Sequence, residues 1–410
     1  MAIDCSASPR KPHSLHPHPT PPHPTPPHFN ALHTQDILET FRSLGTTNDA
    51  VLINTMFDIG RTLHDSVDLL SSDGDRKHIA GLLCGFIDKI DYGKDLEQQL
   101  NVYVECRAIF CNLDQVKDKL VLCVSELAVK AYRYMRGKHS KKTAAFAKAC
   151  LAFCHITVPS ITYVLRKLQL LLHCANVALL NQCLPQTDTF LKAAISLIPE
   201  VPAFEEIDGK RVHTEERLCT YLRSLLSTLV LAPGHPDHGP FYIVQGLLNA
   251  IPKFSWQPAS GVGTRVYVDM LALLCTYAQR RFPYHIPHIE SNDDLYGGAP
   301  GYVFELRQAT HTCLQEILKQ LTTLGERGEV ASKLAQARLV LDFVNCLGAR
   351  ITMTPELGSF LVKLLDQIVL KVKASLTRAD ARYLANTVEF LRRVGDGPLK
   401  EQLKPISAAL

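Results

Sequence analysis

Apolar residues recur every three or four positions from about residue 33 to the C-terminus, and short stretches of Pro, Gly, Asn and Asp interrupt them. One such series is Leu52, Met56, Ile59, Leu63, Val67 and Leu70. Steps of three and four place one side chain per turn on a single face of an α-helix. No window of similar length alternates with a period of two. The pattern predicts an all-α protein, a HEAT-like α-solenoid of antiparallel helical pairs about 35–45 residues long.

The positions of the Pro, Gly, Asn and Asp stretches between the apolar series predict about fifteen helices. Pro159 is expected to kink or split the long apolar region 143–184. Thr354-Pro355-Glu356 and the Thr377/Asp380 pair are typical of helix N-termini. The other predicted helices are 33–44, 48–71, 75–91, 94–111, 113–136, 186–198, 213–231, 238–251, one ending near 281, 302–325, 329–348, 355–375, 378–395 and 397–403. The predicted loops are 199–209, with a turn at 207–209, then 257–263 and the long irregular stretch 283–301.

Residues 1–32 differ from the rest of the chain because Pro and His dominate them from Pro9 to His28. Such a segment favours an extended polyproline-like conformation and offers no apolar core. Flexible His/Pro tracts bind transition metals weakly and without selectivity. We therefore expect residues 1–32 to form a disordered tail and residues 33–410 to form the solenoid.

Composition narrows the class of protein further. An apolar fraction of 46% supports a packed core, and a formal net charge of +4 over 410 residues does not indicate nucleic-acid binding. The 13 cysteines are scattered through helical series and form no C-x-x-C, so they are expected to be small core residues. The longest apolar run, 144–161, contains Lys148 and Pro159 and predicts a buried helix instead of a membrane span. The sequence predicts a soluble, reduced, intracellular protein.

Candidate chemical sites are few, and each has a structural alternative. A basic cluster lies around Gly137 at a predicted turn, and it is either a solvated turn or a contact for acidic lipid or phosphate. Its members are Arg133, Arg136, Lys138, His139, Lys141 and Lys142. His235 and His238 have ligand-like spacing but lack a third metal ligand. The series Cys150, Cys154 and His155 is more typical of buried packing than of a metal site.

Motifs for catalysis or cofactor binding are absent from the sequence. The chain has no G-x-S-x-G, no H-E-x-x-H and no G-x-G-x-x-G after a strand. The adjacent carboxylates Glu205/Glu206 and Asp293/Asp294 lie in predicted loops without a metal or histidine partner. These observations predict a non-enzymatic protein that needs no cofactor.

Several collinear strings resemble one family closely. They are LGTTNDAVLINTMFDIGRTLHDSV (44–67), LEQQLNVYVECRAIFCNLDQV (96–116), GKHSKKTAAFAKAC (137–150), VALLNQCLPQTDTFLKAAISLIPEVP (177–202), HPDHG (235–239) and SNDDLYGG (291–298). The resemblance is to the vacuolar protein sorting-associated protein 35-like family, the large scaffold subunits of the retriever complex and distant relatives of the retromer scaffold. It covers about residues 35–400.

The resemblance implies a non-enzymatic scaffold that is cytoplasmic and peripheral on endosomes and promotes recycling of membrane cargo to the plasma membrane. The C-terminal half of the family's solenoid holds vacuolar protein sorting-associated protein 29, which has a phosphoesterase fold. The CCC (COMMD/coiled-coil) complex and a sorting-nexin adaptor are further implied partners, and membrane association is expected to be indirect. The alternative is a HEAT-like adaptor in another intracellular trafficking or assembly pathway.

The family's N-terminal half, which holds the arrestin-like subunit, has no counterpart here. Binding of that subunit is therefore not expected. The helix at 33–44 is expected to end the array without a capping repeat. On that helix Ile37, Leu38, Phe41 and Leu44 are expected to be partly exposed. Candidate partner contacts are aromatic and apolar residues in loops and at helix ends of the C-terminal half. They are Phe241, Tyr242, Tyr284, Leu295, Tyr296 and Tyr302.

Overall fold

A computed structural model of the protein describes residues 31–67, 71–207, 209–232, 234, 238–279, 289–290, 294 and 301–409. The predicted tail 1–32 lies almost entirely outside the described residues. The described residues form two compact units, one ending at Ile90 and one beginning at Asp91. The prediction that residues 33–410 form a single array stays a prediction.

The described residues are almost entirely α-helical, as the apolar spacing predicts. Sixteen α-helices and one short β-hairpin are present in them. The helices are α1 Ala31–Ser43, α2 Ala50–Asp65, α3 Asp73–Lys89, α4 Leu96–Ile109, α5 Asp114–Tyr134, α6 Lys141–Thr157, α7 Val164–Leu180, α8 Leu184–Leu197, α9 Glu215–Leu229, α10 Tyr242–Ala250, α11 Val262–Tyr277, α12 Tyr302–Glu326, α13 Val330–Arg350, α14 Pro355–Val372, α15 Arg378–Val394 and α16 Gly397–Ala409. The strands are β1 Phe204–Ile207 and β2 Lys210–His213.

The first unit packs α1 against both α2 and α3. Phe86 on α3 contacts Phe41 at a ring-centroid distance of 5.9 Å and Phe57 at 5.2 Å. Because α3 covers α1, Leu38 and Phe41 are buried at 0% and 3% exposure, and the expectation that they are partly exposed is wrong. The same expectation is confirmed for Ile37 on α1 and for Leu44 directly after it, which are 37% and 50% exposed.

In the second unit most helices pack on a neighbour in the chain and on a helix two positions away, whereas α9 packs on α7 and α11 and α10 packs on α8. The pairs α5/α6 and α7/α8 are antiparallel because their connections are short. Their facing stripes form the core, where Leu120, Leu168 and Leu222 are fully buried. This repeated arrangement confirms the all-α, HEAT-like solenoid prediction within the unit.

Three connections in the second unit use the same local device. The sequences Val158-Pro159-Ser160, Ile198-Pro199-Glu200 and Ile251-Pro252-Lys253 each form a short 3-10 helix directly after an α-helix. Proline has no N–H and ends the α-helical hydrogen-bond pattern, while the preceding aliphatic residue stays in the core at 0–1% exposure. The predicted split at Pro159 is therefore confirmed, and the same logic ends α8 and α10.

The predicted loop at 199–209 contains the first strand of a β-hairpin that the sequence pattern does not reveal, and the second strand follows at 210–213. Strands β1 and β2 pair antiparallel, with Phe204 opposite His213 and Ile207 opposite Lys210. Gly209 adopts a left-handed conformation, φ 70°, which a tight turn requires. The strands form despite their charges because Arg211 lies over the Phe204 ring at 4.2 Å and that ring contacts His213 at 4.8 Å.

Other helix boundaries agree with the prediction to within a few residues, except that the helix predicted at 48–71 ends at Asp65 and the last helix is longer than predicted. The helix predicted at 397–403 continues to Ala409 through Pro405. Burial of Leu403 and Ile406 outweighs the single backbone hydrogen bond that proline removes. The predicted caps are confirmed, since Thr354 accepts from the Leu357 N–H at 3.3 Å and Thr377 accepts from the Asp380 N–H at 3.2 Å.

Candidate partner-binding surface

Two of the described candidate contacts, Phe241 and Tyr302, belong to the core. Phe241 is 1% exposed and packs on Tyr302 at 5.0 Å and on Tyr277 at 5.6 Å between ring centroids. The Tyr302 hydroxyl donates to the Tyr277 carbonyl, and the Tyr277 hydroxyl donates to the Leu229 carbonyl, each at 2.8 Å. This aromatic cluster joins α9, α10, α11 and α12. In this structure the side chains of Phe241 and Tyr302 pack in the core instead of lying at the surface.

Tyr242, the next residue after Phe241, faces outward with 36% exposure. The His238 ring stacks on it at 4.6 Å with an interplanar angle of 23°, and the Lys192 ammonium lies 4.8 Å from the ring centroid. Asp188 holds Lys192 at 2.7 Å and thereby raises the pKa of Lys192. Tyr242 is therefore an ordered aromatic side chain with an apolar ring and a polar hydroxyl, the kind of group that often anchors protein interfaces.

An apolar groove adjoins Tyr242. It has a volume of about 790 Å³ and lies between the N-terminal half of α8, the segment after α9, and α10. Leu184, Leu191 and Val244 are among its lining residues, and Pro185 and Pro240 stiffen its walls. Leu184 is 46% exposed at the groove mouth. We call this the α8/α10 groove. It has the size and lining expected of a site for an inserted side chain or peptide segment.

The remaining candidates Tyr284, Leu295 and Tyr296 lie outside the described residues. Sequence reasoning did not single out Leu184, Asp188 or Lys192 for this surface. The available signal is the Leu184-Pro185 start of α8, where a proline in the first turn leaves a large apolar side chain at a helix end.

A second cavity, which is polar and has a volume of about 410 Å³, lies between α9, α11, α13 and α15. Arg223 pairs with Asp269 at 3.0 Å, and the Tyr383 hydroxyl donates to Asp342 at 2.8 Å. Burial raises the pKa of Asp342 despite that hydrogen bond and the nearby Arg265. The side chains pair with one another across four helices, which identifies the cavity as a structural network.

The other sequence candidates form no cluster suited to metal binding. Within the described residues no group of three His, Cys, Asp or Glu side chains has suitable geometry. His235 lies outside those residues. Cys150 and Cys154 are buried, burial raises the pKa of Cys150 to about 12, and the Cys154 thiol lies 3.7 Å from the Val121 carbonyl. The predicted packing role of these cysteines matches their positions.

The charged loop pairs also have structural roles. Glu205 forms an ion pair with Arg217 on α9 and thereby ties the hairpin to the helix that follows. Asp294 accepts from the Glu290 N–H at 3.1 Å, and Asp293 lies outside the described residues. None of the helices in the described ranges combines the length and apolar character needed to cross a bilayer.

Comparison with known proteins gives a consistent family assignment. A relative from Homo sapiens, a VPS35 endosomal protein-sorting factor-like protein, is 38% identical over 89% of this chain and 37% of its own length. Relatives with equivalent names from Danio rerio and Dictyostelium discoideum are 42% and 37% identical over 73% and 84% of the chain. The chain spans about a third of the length of these relatives. A solved circular tandem repeat protein covers 92% of the chain at 10% identity with a TM-score of 0.44.

The model of the VPS35L C-terminal domain family matches residues 32–404, which include every described helix from α2 to α15 and both strands. The matched region also contains Tyr242 and the α8/α10 groove. The chain therefore belongs to the VPS35L C-terminal domain family of endosomal protein-sorting factors.

Proposed function

We propose that this protein is a non-enzymatic scaffold of a retriever-type endosomal sorting complex that recycles membrane cargo to the plasma membrane. The observation that carries the proposal is the family match over residues 32–404 on an array of helical pairs. Arrays of this kind offer extended surfaces to partner proteins. The proposed partner is vacuolar protein sorting-associated protein 29, with the CCC complex and a sorting-nexin adaptor as further members of the assembly.

The proposed contact for the phosphoesterase-fold subunit is Tyr242 with the α8/α10 groove. Three properties favour this surface over other parts of the second unit. Tyr242 is held in place by His238 and Lys192, so binding costs little side-chain entropy. The adjoining groove is apolar and concave. The exposed Leu184 at its mouth supplies a second apolar contact.

Titration calorimetry of the whole chain against vacuolar protein sorting-associated protein 29 tests the proposal. We expect saturable binding with one-to-one stoichiometry. Tyr242→Ala is expected to weaken binding by at least about tenfold, the loss typical of an aromatic anchor. Unfolding monitored by circular dichroism should change little, because the tyrosine is partly exposed.

Tyr163→Ala provides a matched control. Tyr163 is 68% exposed and lies at the start of α7, so the same side chain is removed away from the groove. Wild-type affinity of Tyr163→Ala together with weak binding of Tyr242→Ala supports the proposal. Absence of binding by the well-folded wild-type chain contradicts it and favours the alternative, a HEAT-like adaptor in another trafficking or assembly pathway.

A further inference from the structure

Charge is distributed unevenly along the chain. Residues 127–187 contain nine lysines and arginines and no aspartate or glutamate, whereas the rest of the chain carries a net charge of −5. The small net charge of the whole protein therefore conceals a strongly basic segment. All residues of this segment belong to the part of the chain that the structure describes.

Seven of the nine cations lie around the turn that joins α5 to α6. They are Lys130, Arg133, Arg136, Lys138, Lys141, Lys142 and Lys148. Glu126 lies 3.7 Å from Arg133 and Glu97 lies 3.0 Å from Lys142. Arg136, Lys138 and Lys141 are exposed and form no ion pair with any described residue. Their charge is therefore available to an external anionic partner.

The turn that carries these cations is held firmly by backbone and capping hydrogen bonds. Arg136 and Gly137 both adopt left-handed conformations, at φ 48° and 79°, and the Gly137 N–H donates to the Tyr132 carbonyl at 3.1 Å. Ser140 and Thr143 form a reciprocal capping box at the start of α6. The cations consequently project from an ordered turn.

Exposed apolar side chains accompany the cations on the same edge of the second unit. Helices α5, α7 and α9 pack one on the next, as do α6, α8 and α10, so the C-terminal ends of α5, α7 and α9 fall on one edge. Tyr134, Leu184 and Leu231 are 55%, 46% and 73% exposed at the three turns that begin at these ends. We call residues 130–148 together with Leu184 and Leu231 the basic edge.

We propose that the basic edge binds the surface of an anionic lipid bilayer directly. Cations attract acidic headgroups, while exposed aromatic and aliphatic side chains enter the boundary between headgroups and acyl chains. The cations and apolar side chains are spread along one edge over several turns, an arrangement that suits an extended anionic surface such as a bilayer. This inference does not rest on the proposed scaffold function, because the partner is a lipid surface and the cations lie outside the α8/α10 groove, although Leu184 belongs to both surfaces.

Flotation of the whole chain with vesicles tests the inference. Neutral phosphatidylcholine vesicles are compared with vesicles that contain about 30% phosphatidylserine or a phosphoinositide, in the range of anionic content that attracts basic segments. We expect binding only to the anionic vesicles and loss of binding at about 0.5 M salt, where exposed charges are screened. Failure of the folded chain to bind anionic vesicles at low salt overturns the proposal.

The triple variant Arg136→Glu/Lys138→Glu/Lys141→Glu reverses the three unpaired cations. Each basic side chain near an acidic membrane contributes about fivefold to binding, so the variant is expected to bind at least about 100-fold more weakly. The control Lys363→Glu/Arg382→Glu/Lys400→Glu changes the same net charge at exposed positions on α14, α15 and α16. An equal loss in both variants contradicts the proposal, because it indicates net charge alone.

Two further experiments identify which anionic molecule binds and how much the apolar side chains contribute to vesicle binding. Glycerophosphoserine in solution should not compete at concentrations that match the vesicle phosphate, because a single headgroup lacks the multiple charges of a bilayer surface. Full competition would indicate a headgroup pocket, and binding to polyglutamate but not to vesicles would indicate an acidic protein; both results overturn the bilayer assignment. Tyr134→Ser is expected to weaken vesicle binding several-fold while leaving its salt dependence unchanged.

Discussion

The two edges of the second unit are formed by opposite ends of the same helices, and they differ in how they use their charges. On the basic edge, exposed cations and apolar side chains stand on short turns. On the opposite edge, which we call the closed edge, the 3-10 helices at 158–160, 198–200 and 251–253 bury their first residues. The comparison indicates that the closed edge stabilises the array, while the basic edge is free to bind.

Hydrogen bonds at the closed edge support this distinction. The Lys117 ammonium donates to the Ser160 carbonyl at 2.5 Å and pairs with Asp114 at 2.7 Å. Asp114 in turn accepts from the Thr162 N–H at 2.7 Å. Lys117 is 7% exposed, whereas the lysines of the basic edge are half-buried or exposed. One edge therefore uses its charges internally, and the other presents them outward.

The largest expected difference in the free energy of unfolding is between alanine substitutions of one aliphatic residue on each edge. Ile198→Ala, at 0% exposure on the closed edge, is expected to lower the free energy of unfolding by about 2–5 kcal/mol because it leaves a cavity. Leu231→Ala, at 73% exposure, should change it by less than about 0.5 kcal/mol. Denaturant unfolding followed by the fluorescence of Trp256, the single tryptophan, measures both. Similar losses for the two variants would contradict the comparison.

The next largest contrast in stability is expected between substitutions of one lysine on each edge, Lys117 and Lys130. Lys117→Met removes the donor from the Ser160 carbonyl and the ion-pair partner from Asp114, which keeps only its bond from Thr162, and the expected loss is about 1–3 kcal/mol in the free energy of unfolding. Lys130→Met, on the basic edge, removes a lysine that forms no ion pair with described residues. It should change stability by less than about 0.5 kcal/mol. A larger loss for Lys130→Met than for Lys117→Met would reverse the assignment of the two edges.

The capping box tests whether the basic turn is ordered by local bonds. Ser140→Ala removes the acceptor for the Thr143 N–H and is expected to cost about 1 kcal/mol of unfolding free energy. Ser196→Ala is the control, since Ser196 is exposed near the end of α8 and caps no helix start. Equal stability of Ser140→Ala and wild type would show that the capping box contributes nothing.

The smallest effect is a pH dependence at the closed edge. Burial disfavours the charged form of Asp114, but hydrogen bonds from Lys117 and Thr162 outweigh it and lower the pKa of that carboxyl. A lowered folded-state pKa gives stability that is complete above the unfolded pKa, about 4, and is lost as pH falls through the folded value. The stability difference between wild type and Asp114→Asn should therefore shrink below about pH 4. A difference that grows on acidification would contradict this sign.

The sequence predicts the helices well because each buries one regular stripe, and the stripe is local information. It does not predict the hairpin at 204–213, whose packing includes a contact distant in sequence: the Phe254 ring, 41 residues from His213, lies 6.2 Å from it between ring centroids. Burial of Leu38 and Phe41 depends in the same way on α3. Adjacent aromatics such as Phe241 and Tyr242 show the same limit, since only packing determines which one faces inward.

Hydrogen exchange tests most directly whether the groove and the basic edge bind partners while the closed edge only stabilises the array. Exchange of the whole chain is measured alone, with vacuolar protein sorting-associated protein 29, and with anionic vesicles. The account predicts that the protein partner slows exchange in α8 and α10 around the α8/α10 groove. Anionic vesicles should slow exchange at residues 130–148, and neither should protect the 3-10 helices of the closed edge. Protection of the closed edge by either ligand, or of 130–148 by neither, would contradict the account.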